Sequence, residues 1–304
     1  MVILLGLVWG LNFSLMKFAA QSGLPFALLA ALVILGNLLI FAACCLLVVG
    51  RIRVAATSWW FFAGCGLLGY LLPFFMELFA APRIGAGTLA LVVALAPIMT
   101  LLAAGATRIE QITWTKALGI GAGFLSVVPL MLQDVSALED VFGIGLAVGL
   151  AVPLVYALYH TLIARFWPPG LESFEVAFGE TFAAVVLMVP VYLLWAEPGP
   201  PPSFSISLYW IVGALLVFSA LEVWLYFRIM RLGGPVYVSQ SGYVAVIAGV
   251  VWGALFFDER VTAWIAASMA LVLLALLLVA PRSRGADSSP DGSDEDSSGE
   301  DGAG

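Results

Sequence analysis

Residues 26–49 read FALLAALVILGNLLIFAACCLLVV and contain no charged side chain. A helix of about 20 apolar residues crosses the roughly 30 Å hydrocarbon core of a bilayer, so this stretch predicts a membrane-spanning helix. The whole chain is similarly apolar: 63% of its residues are hydrophobic, 10% are charged and its mean hydropathy is +1.10. These values exclude a soluble enzyme, and 12 basic against 19 acidic residues exclude a nucleic-acid binder. The sequence predicts an all-α polytopic membrane protein.

Ten apolar segments separated by polar, glycine or proline breaks are candidate spans. We number them one to ten: residues 2–20, 26–49, 58–79, 86–106, 114–132, 142–163, 174–195, 207–228, 236–257 and 261–280. The first has no cleavage signal and is interpreted as a retained helix, not a signal peptide. The linkers are too short for a soluble domain, so any chemistry takes place within the bilayer or at its edge.

Lysine and arginine in short loops predict the orientation, because cytoplasmic loops carry an excess of these residues. With the N-terminus inside, nine basic residues fall on the cytoplasmic side, against three outside, which are Lys17, Arg83 and Arg260. An even number of spans then places both termini in the cytoplasm. We expect a multi-pass protein of the cell's inner (plasma) membrane.

The C-terminal residues 282–304 differ from the rest of the chain, with two arginines, seven acids and no large apolar side chain. Such a composition predicts a disordered acidic tail. The cysteines Cys44, Cys45 and Cys65 lie in apolar runs without metal or redox spacing, and the chain has a single histidine. We therefore expect no metal and no cofactor.

The two halves of the chain resemble each other. Arg83-Ile84-Gly85-Ala86-Gly87 precedes span four, and Arg231-Leu232-Gly233-Gly234-Pro235 precedes span nine. The two spans then lead to Glu110-Gln111-Ile112-Thr113 and Glu259-Arg260-Val261-Thr262. The pattern predicts two five-helix repeats, residues 1–132 and 142–281, and an odd number of spans makes them inverted. Inverted repeats are typical of secondary transporters that bind substrate between the halves.

These motifs resemble the EamA family of the drug/metabolite transporter superfamily over residues 1–281. Trp9-Gly10-Leu11-Asn12-Phe13, followed by Lys17, resembles the family's opening helix. Gly85-Ala86-Gly87, leading through Pro97 to Glu110, resembles its first-half signature. The second half departs from the pattern, because Val246 stands where a proline is usual. The resemblance implies a ten-helix carrier that exports small metabolites such as amino acids.

Ionisable residues inside spans are costly and therefore candidates for function. Glu222, near the middle of span eight, is predicted to bind a substrate amine or carry a proton; a structural hydrogen bond is the alternative. Glu180 lies about two turns into span seven, where its side chain can also extend to the headgroups. Glu77 is interpreted as an interface ion-pair partner of Arg83. His160 titrates near neutral pH but lies beside two tyrosines, which also fits a structural role.

Uncharged residues complete the candidate site. If spans one, six, eight and nine line a cavity, Asn12, Gln240 and Tyr243 surround Glu222. Its predicted aromatic walls are Trp9, Tyr156, Trp224 and Tyr243, although aromatic residues also anchor helices at interfaces. Lys17 is expected to extend towards the outer surface. Pro97 and Pro153 fall near mid-span and are candidate hinges, with fixed bends as the alternative.

The sequence favours a secondary-active transporter, an exporter of small metabolites such as amino acids or amphipathic compounds, working by alternating access. An intramembrane lipid-modifying enzyme is the alternative; its metal-binding acids would be Glu139-Asp140 or Asp258-Glu259. A channel would need a continuous polar stripe, which the sequence lacks, and without a Walker motif ATP is not the direct energy source. The expected partners are a small-molecule substrate and membrane lipid, without nucleic acid. Substrate, direction, coupling ion and oligomeric state, a homodimer included, stay open.

Overall fold

The computed structural model of the protein describes residues 1–52, 58–106, 112–132, 141–195 and 206–279. Every regular element in these ranges is helical. The α-helices are α1 (Val2–Gln21), α2 (Phe26–Cys44), α3 (Trp59–Cys65), α4 (Leu72–Ile84), α5 (Ala86–Val93), α6 (Ala96–Ala106), α7 (Trp114–Leu125), α8 (Val127–Leu132), α9 (Val141–Phe166), α10 (Ser173–Trp195), α11 (Ile206–Phe257) and α12 (Ala263–Val279). The predicted acidic tail, with residues 280 and 281 before it, lies outside the described residues.

The all-α polytopic membrane class is confirmed. Within the described residues, eight helical stretches are long and apolar enough to cross a membrane, and two shorter apolar helical stretches, Ala86–Leu102 and Ala263–Val279, accompany them. Large apolar side chains stand on the outside of the protein: Leu47 is 86% exposed and Leu194 is 79% exposed. Exposed apolar surface on this scale is what a lipid-facing protein presents. The division into two inverted repeats stays a prediction.

Two helices continue as π-helical segments. α2 extends into Cys45–Val49, and the segment Gly66–Leu71 joins α3 to α4, so that one span runs over Trp59–Ile84. The predicted linker at residues 80–85 is mostly helix, and Gly85 alone separates α4 from α5. Gly85 has φ +84°, a conformation that glycine adopts without steric cost, which permits this one-residue turn.

Helix α11 doubles back on itself. A straight helix of its 52 residues would be about 78 Å long, with Glu222 and Gly249 about 40 Å apart. Yet Asn12 bonds to Glu222 while Gly10, half a turn away on α1, packs against Gly249. The chain therefore reverses between these two positions, near the linker predicted at residues 229–235, although its backbone stays helical there. α11 contributes spans eight and nine, as the sequence predicts.

Helix α1 packs closely against α11 because small residues let the two backbones approach each other. A Cβ added to Gly10 would lie 2.7 Å from the backbone nitrogen of Gly249, and one added to Gly6 would lie 2.6 Å from the carbonyl oxygen of Ser241. Glycine at such contacts allows the backbones of packed membrane helices to touch. This close packing brings Asn12 of α1 into contact with Glu222 of α11.

Candidate transport site

Asn12 and Glu222 meet inside the protein. The side-chain amide of Asn12, which is 6% exposed, donates a hydrogen bond to the Glu222 carboxylate. Glu222 as a whole residue is half-buried. The expected proximity of these two residues is confirmed. What they do in transport is a separate question, taken up below.

A second carboxylate, Glu77 of α4, lies close by. It is 6% exposed and accepts a hydrogen bond of 3.0 Å from the hydroxyl of Tyr156 on α9. Glu222 lies within electrostatic range of Glu77. The interpretation of Glu77 as an ion-pair partner of Arg83 is wrong: Arg83 stacks on the ring of Phe79 at 3.5 Å and donates to the carbonyl oxygen of that residue.

Glu180 of α10 is the third carboxylate and the most enclosed. It is 1% exposed, and neither of its oxygens has a hydrogen-bond partner of normal geometry within the described residues. Tyr159 is the nearest polar side chain, and Gly69 of the π-helical segment leaves the space that both side chains fill. The prediction that Glu180 extends to the headgroups is wrong, because the surrounding helices enclose it.

Aromatic rings connect the three acids. Trp9 packs edge-on against Tyr156, with ring centroids 6.2 Å apart. His160 is stacked between Tyr156 at 6.1 Å and Tyr226 at 5.6 Å, and Tyr226 also stacks on Tyr159 at 5.7 Å. Tyr156 lies within electrostatic range of Glu77, Glu180 and Glu222 alike. We call this set the central cluster: Trp9, Asn12, Glu77, Tyr156, Tyr159, His160, Glu180, Glu222 and Tyr226.

The structure does not bring every predicted residue to Glu222. Gln240 is exposed, and Tyr243 is half-buried without a hydrogen bond to Glu222. Trp224 lies on another face of α11, where it stacks on Phe174 at 5.8 Å. That pair lines a separate open cavity of about 530 Å³ near the end of the second span. The prediction that Trp224 walls the Glu222 site is wrong, because residues two apart on a helix point in different directions.

A second polar site connects the first half of the chain to the second half. The Nζ atom of Lys17 lies 2.6 Å from the Oε1 atom of Glu259 and 4.2 Å from the ring centroid of Phe257. Glu259 also accepts the backbone N–H groups of Ala86 at 2.9 Å and Gly87 at 3.1 Å. The prediction that Lys17 extends to the surface is therefore wrong. Its side chain is 12% exposed and pairs with an acid that closes the N-terminus of α5.

Comparison with known proteins fits this geometry. The first part of the chain matches the sequence pattern of a family described as "EamA-like transporter family". Residues 1–132 match the EamA-like transporter family. The resemblance inferred from the motifs is confirmed over these residues, and similarity to this family indicates a membrane transporter. No curated protein matches the chain.

A likeness of fold to a solved structure covers most of the chain. A solved structure titled only "Crystal structure of protein" matches with a TM-score of 0.63 at 18% identity, covering 91% of this chain and 95% of that one. At this identity the likeness concerns the fold alone. The motif residues Gly85, Ala86 and Gly87 of the EamA-like segment form the turn and helix start that Glu259 binds. The second-half glutamate of the motif thus contacts the first-half signature.

The candidate hinges differ in the structure. The EamA-like segment breaks at Ala94–Leu95, directly before Pro97, so that α5 and α6 are separate helices. Pro153, in contrast, lies inside the continuous helix α9. A helix break is where a bend can be concentrated, whereas a proline within a packed helix fixes a bend. Pro97 stays a candidate hinge, and the structure gives no break at Pro153.

One feature of the site was not predicted. Asn37 of α2 donates hydrogen bonds to Tyr70 and, at 2.8 Å, to Ser219, which ties three helical segments together. Asn37 is the only amide in residues 26–49, and that isolation is the signal that could have identified it.

Within the described residues, no group of three His, Cys, Asp or Glu side chains could hold a metal ion. Glu139 and Asp140 lie outside those residues.

Proposed function

We propose that this protein is a secondary-active transporter that exports small metabolites by alternating access. The observation that carries the proposal is the central cluster, in which polar side chains from α1, α4, α9, α10 and α11 converge between helices that otherwise bury apolar residues. Buried ionisable groups in membrane helices are expensive and mark substrate or ion pathways. The EamA-like match supports transport, and the family resemblance supports export.

Glu222 and Asn12 are proposed as the first contacts of the substrate. Both lie on helices that pack through glycine, α1 and α11, and Glu222 keeps partial exposure. A metabolite amine would take the Glu222 carboxylate in place of the Asn12 amide or alongside it. Tyr156 is hydrogen-bonded to Glu77 and packs on Trp9, which lies on α1 together with Asn12. A substrate bound at Asn12 would therefore affect the position of Tyr156.

The Lys17–Glu259 pair is proposed to close one end of this pathway. It joins α1 to the turn between α11 and α12 and to the start of α5, so it must separate if those elements move apart. From the distribution of basic residues we propose that this end faces outwards and that both termini are cytoplasmic, in the inner (plasma) membrane. The substrate then leaves through this end.

Transport in proteoliposomes tests the proposal. The purified full-length chain would be reconstituted, and the efflux and uptake of a panel of radiolabelled metabolites would be measured with and without a pH gradient. We expect protein-dependent movement of at least one solute and its loss when a variant removes Glu222. Vesicles without protein are the control. A folded, inserted protein that moves no member of the panel in either direction would contradict the proposal.

A further inference from the structure

We propose that the substrate of the central cluster is an organic cation, an amine without a carboxylate, rather than a zwitterionic amino acid or an anion. The inference rests on the proposed function, because it names the chemical class that the same site would take. It narrows the class of substrate beyond small metabolites in general. Three independent observations support it: charge, unpaired hydrogen-bond acceptors and aromatic surface.

The charge of the cluster is entirely acidic. Glu77, Glu180 and Glu222 come from three different helices, and none of them takes part in an ion pair within the described residues. The basic residues of α1 and α4 are engaged elsewhere, Lys17 with Glu259 and Arg83 with Phe79. A substrate ammonium would supply the missing positive charge. A substrate carboxylate would meet three acids and no lysine or arginine side chain of the cluster, which costs free energy in a low-dielectric interior.

Buried acceptors without donors point to the same ligand. Within the described residues, both carboxylate oxygens of Glu180 and the Oδ1 atom of Asn12 have no hydrogen-bond partner of normal geometry, although the side chain of Tyr159 lies beside Glu180, and their residues are 1% and 6% exposed. The hydroxyl of Tyr226, on a residue 7% exposed, can accept as well as donate and also has no partner in the part of the chain that the structure describes. A primary ammonium carries three N–H donors and no acceptor, so it matches such a set. Native proteins rarely leave buried polar atoms unsatisfied, and each exception calls for a ligand or another cause.

Aromatic faces provide the third observation. Trp9, Tyr156, His160 and Tyr226 form a contiguous set of rings between Asn12–Glu222 and Glu180. The electron-rich faces of Trp and Tyr attract cations, and more strongly where water is excluded. His160 contributes only while it is neutral, since a protonated imidazole would repel the substrate. An amine with an apolar or aromatic body would fit both the aromatic rings and the acidic side chains of the cluster.

The residues of the central cluster differ in how exposed they are. Trp9, His160 and Glu222 are half-buried, whereas Glu77 and Glu180 are sealed. The substrate would therefore meet Glu222 before the enclosed Glu180. The titratable groups within electrostatic range of Glu180 are Tyr70, Tyr156, Tyr159, Tyr226 and Cys65. Because none of these is a base that is charged at neutral pH, the cluster itself supplies no counter-charge for Glu180.

Solute counterflow with matched pairs tests the class of substrate. Full-length protein in proteoliposomes would be given three amines and the amino acids that differ from them by one carboxylate: tyramine and tyrosine, agmatine and arginine, putrescine and ornithine. Counterflow needs neither the coupling ion nor the direction of transport. We expect at least one amine to exchange about tenfold faster or more than its amino acid, which corresponds to about 1.4 kcal/mol. Glu222→Gln and Glu180→Gln should each abolish this preference, and Glu172→Gln, an exposed acid paired with Arg231, is the matched control.

Each outcome decides the question. Exchange of an amino acid as fast as its amine overturns the cation assignment and leaves the proposed function standing. Movement of anionic or neutral solutes alone, without any of the three amines, also overturns it. A preparation that is folded by circular dichroism and moves no solute at all contradicts the proposed function as well. A preference for amines that survives both glutamate substitutions would place the recognition outside the central cluster and overturn the proposal.

Discussion

Lys17 and Glu259 form an ion pair with 2.6 Å between Nζ and Oε1, although they are 242 positions apart in the chain. The acid carries more contacts than the base. Glu259 also accepts two backbone N–H groups of α5, and it follows Asp258, whose φ of 51° turns the chain after α11. A single side chain therefore connects the second half of the chain to the first.

The unequal contacts of the pair predict unequal effects of substitution. Lys17→Met removes one partner of Glu259, whereas Glu259→Ala leaves Lys17 and two helix-terminal N–H groups without an acceptor. We expect losses of about 1 and about 3 kcal/mol in the free energy of unfolding. Unfolding in mixed detergent micelles would measure them. Because the two side chains touch, the double variant should lose less than the sum, and simple additivity would show that the pair is not coupled.

Gly85 is predicted to be intolerant of substitution for two reasons. Its φ is +84°, and a Cβ there would lie 2.9 Å from the Oε1 atom of Glu259. Gly23 is the matched control, because it has φ +79° with nothing within 4 Å of an added Cβ. We expect Gly23→Ala to cost about 1 kcal/mol from backbone strain and Gly85→Ala clearly more. Equal melting temperatures for the two variants would contradict the role given to the Glu259 contact.

Gly10 is predicted to be required for the packing of α1. A Cβ at this position would meet the backbone of Gly249 at 2.7 Å, whereas one at Gly213 of α11 would meet nothing within 4 Å. Gly10→Ala should lower stability by about 1–3 kcal/mol, in the range of overpacked cores. Gly213→Ala should be neutral or slightly stabilising, since alanine favours helix. Thermal unfolding of the two purified variants makes the comparison, and a stable Gly10→Ala protein would contradict it.

Glu222 distinguishes a functional charge from a structural hydrogen bond. Glu222→Gln keeps size and polarity, so the variant should insert normally and still meet Asn12. If the charge binds substrate or carries a proton, transport or its pH dependence should be lost at equal membrane abundance. Glu222→Leu should instead damage folding, because Asn12 would lose its acceptor. Normal, pH-dependent transport by Glu222→Gln would end the case for the charge.

The orientation of the chain can be tested with reporters. The distribution of lysine and arginine predicts cytoplasmic termini and an external loop around Pro200–Pro202. A reporter fused after Gly304 should be active as a cytoplasmic enzyme, and one inserted between Pro200 and Pro202 as an external one. Detection of the C-terminus outside the cell would contradict the ten-span arrangement and, with it, the outward position given to the Lys17–Glu259 pair.

The sequence by itself determined the fold class and most span boundaries. The apolar run 26–49 coincides with α2 and its π-helical extension, and residues 114–132 coincide with α7 and α8. Hydropathy is a local property, so a window of about 20 residues is enough to read it. Asn12 and Glu222 were recognised for a related reason, because polar residues stand out in apolar surroundings.

Only the tertiary structure decided which polar residues meet. Glu77 was assigned to Arg83 by proximity in sequence, yet it bonds to Tyr156, 79 positions away. Glu180 was expected near the headgroups and is enclosed, since the packing of α10 against the π-helical segment sets its environment. Lys17 was expected at the surface, yet it pairs with Glu259, which lies 242 positions later in the chain. Long-range contacts depend on how helices pack and rotate, and helices apolar on every side carry no periodic pattern that fixes this rotation.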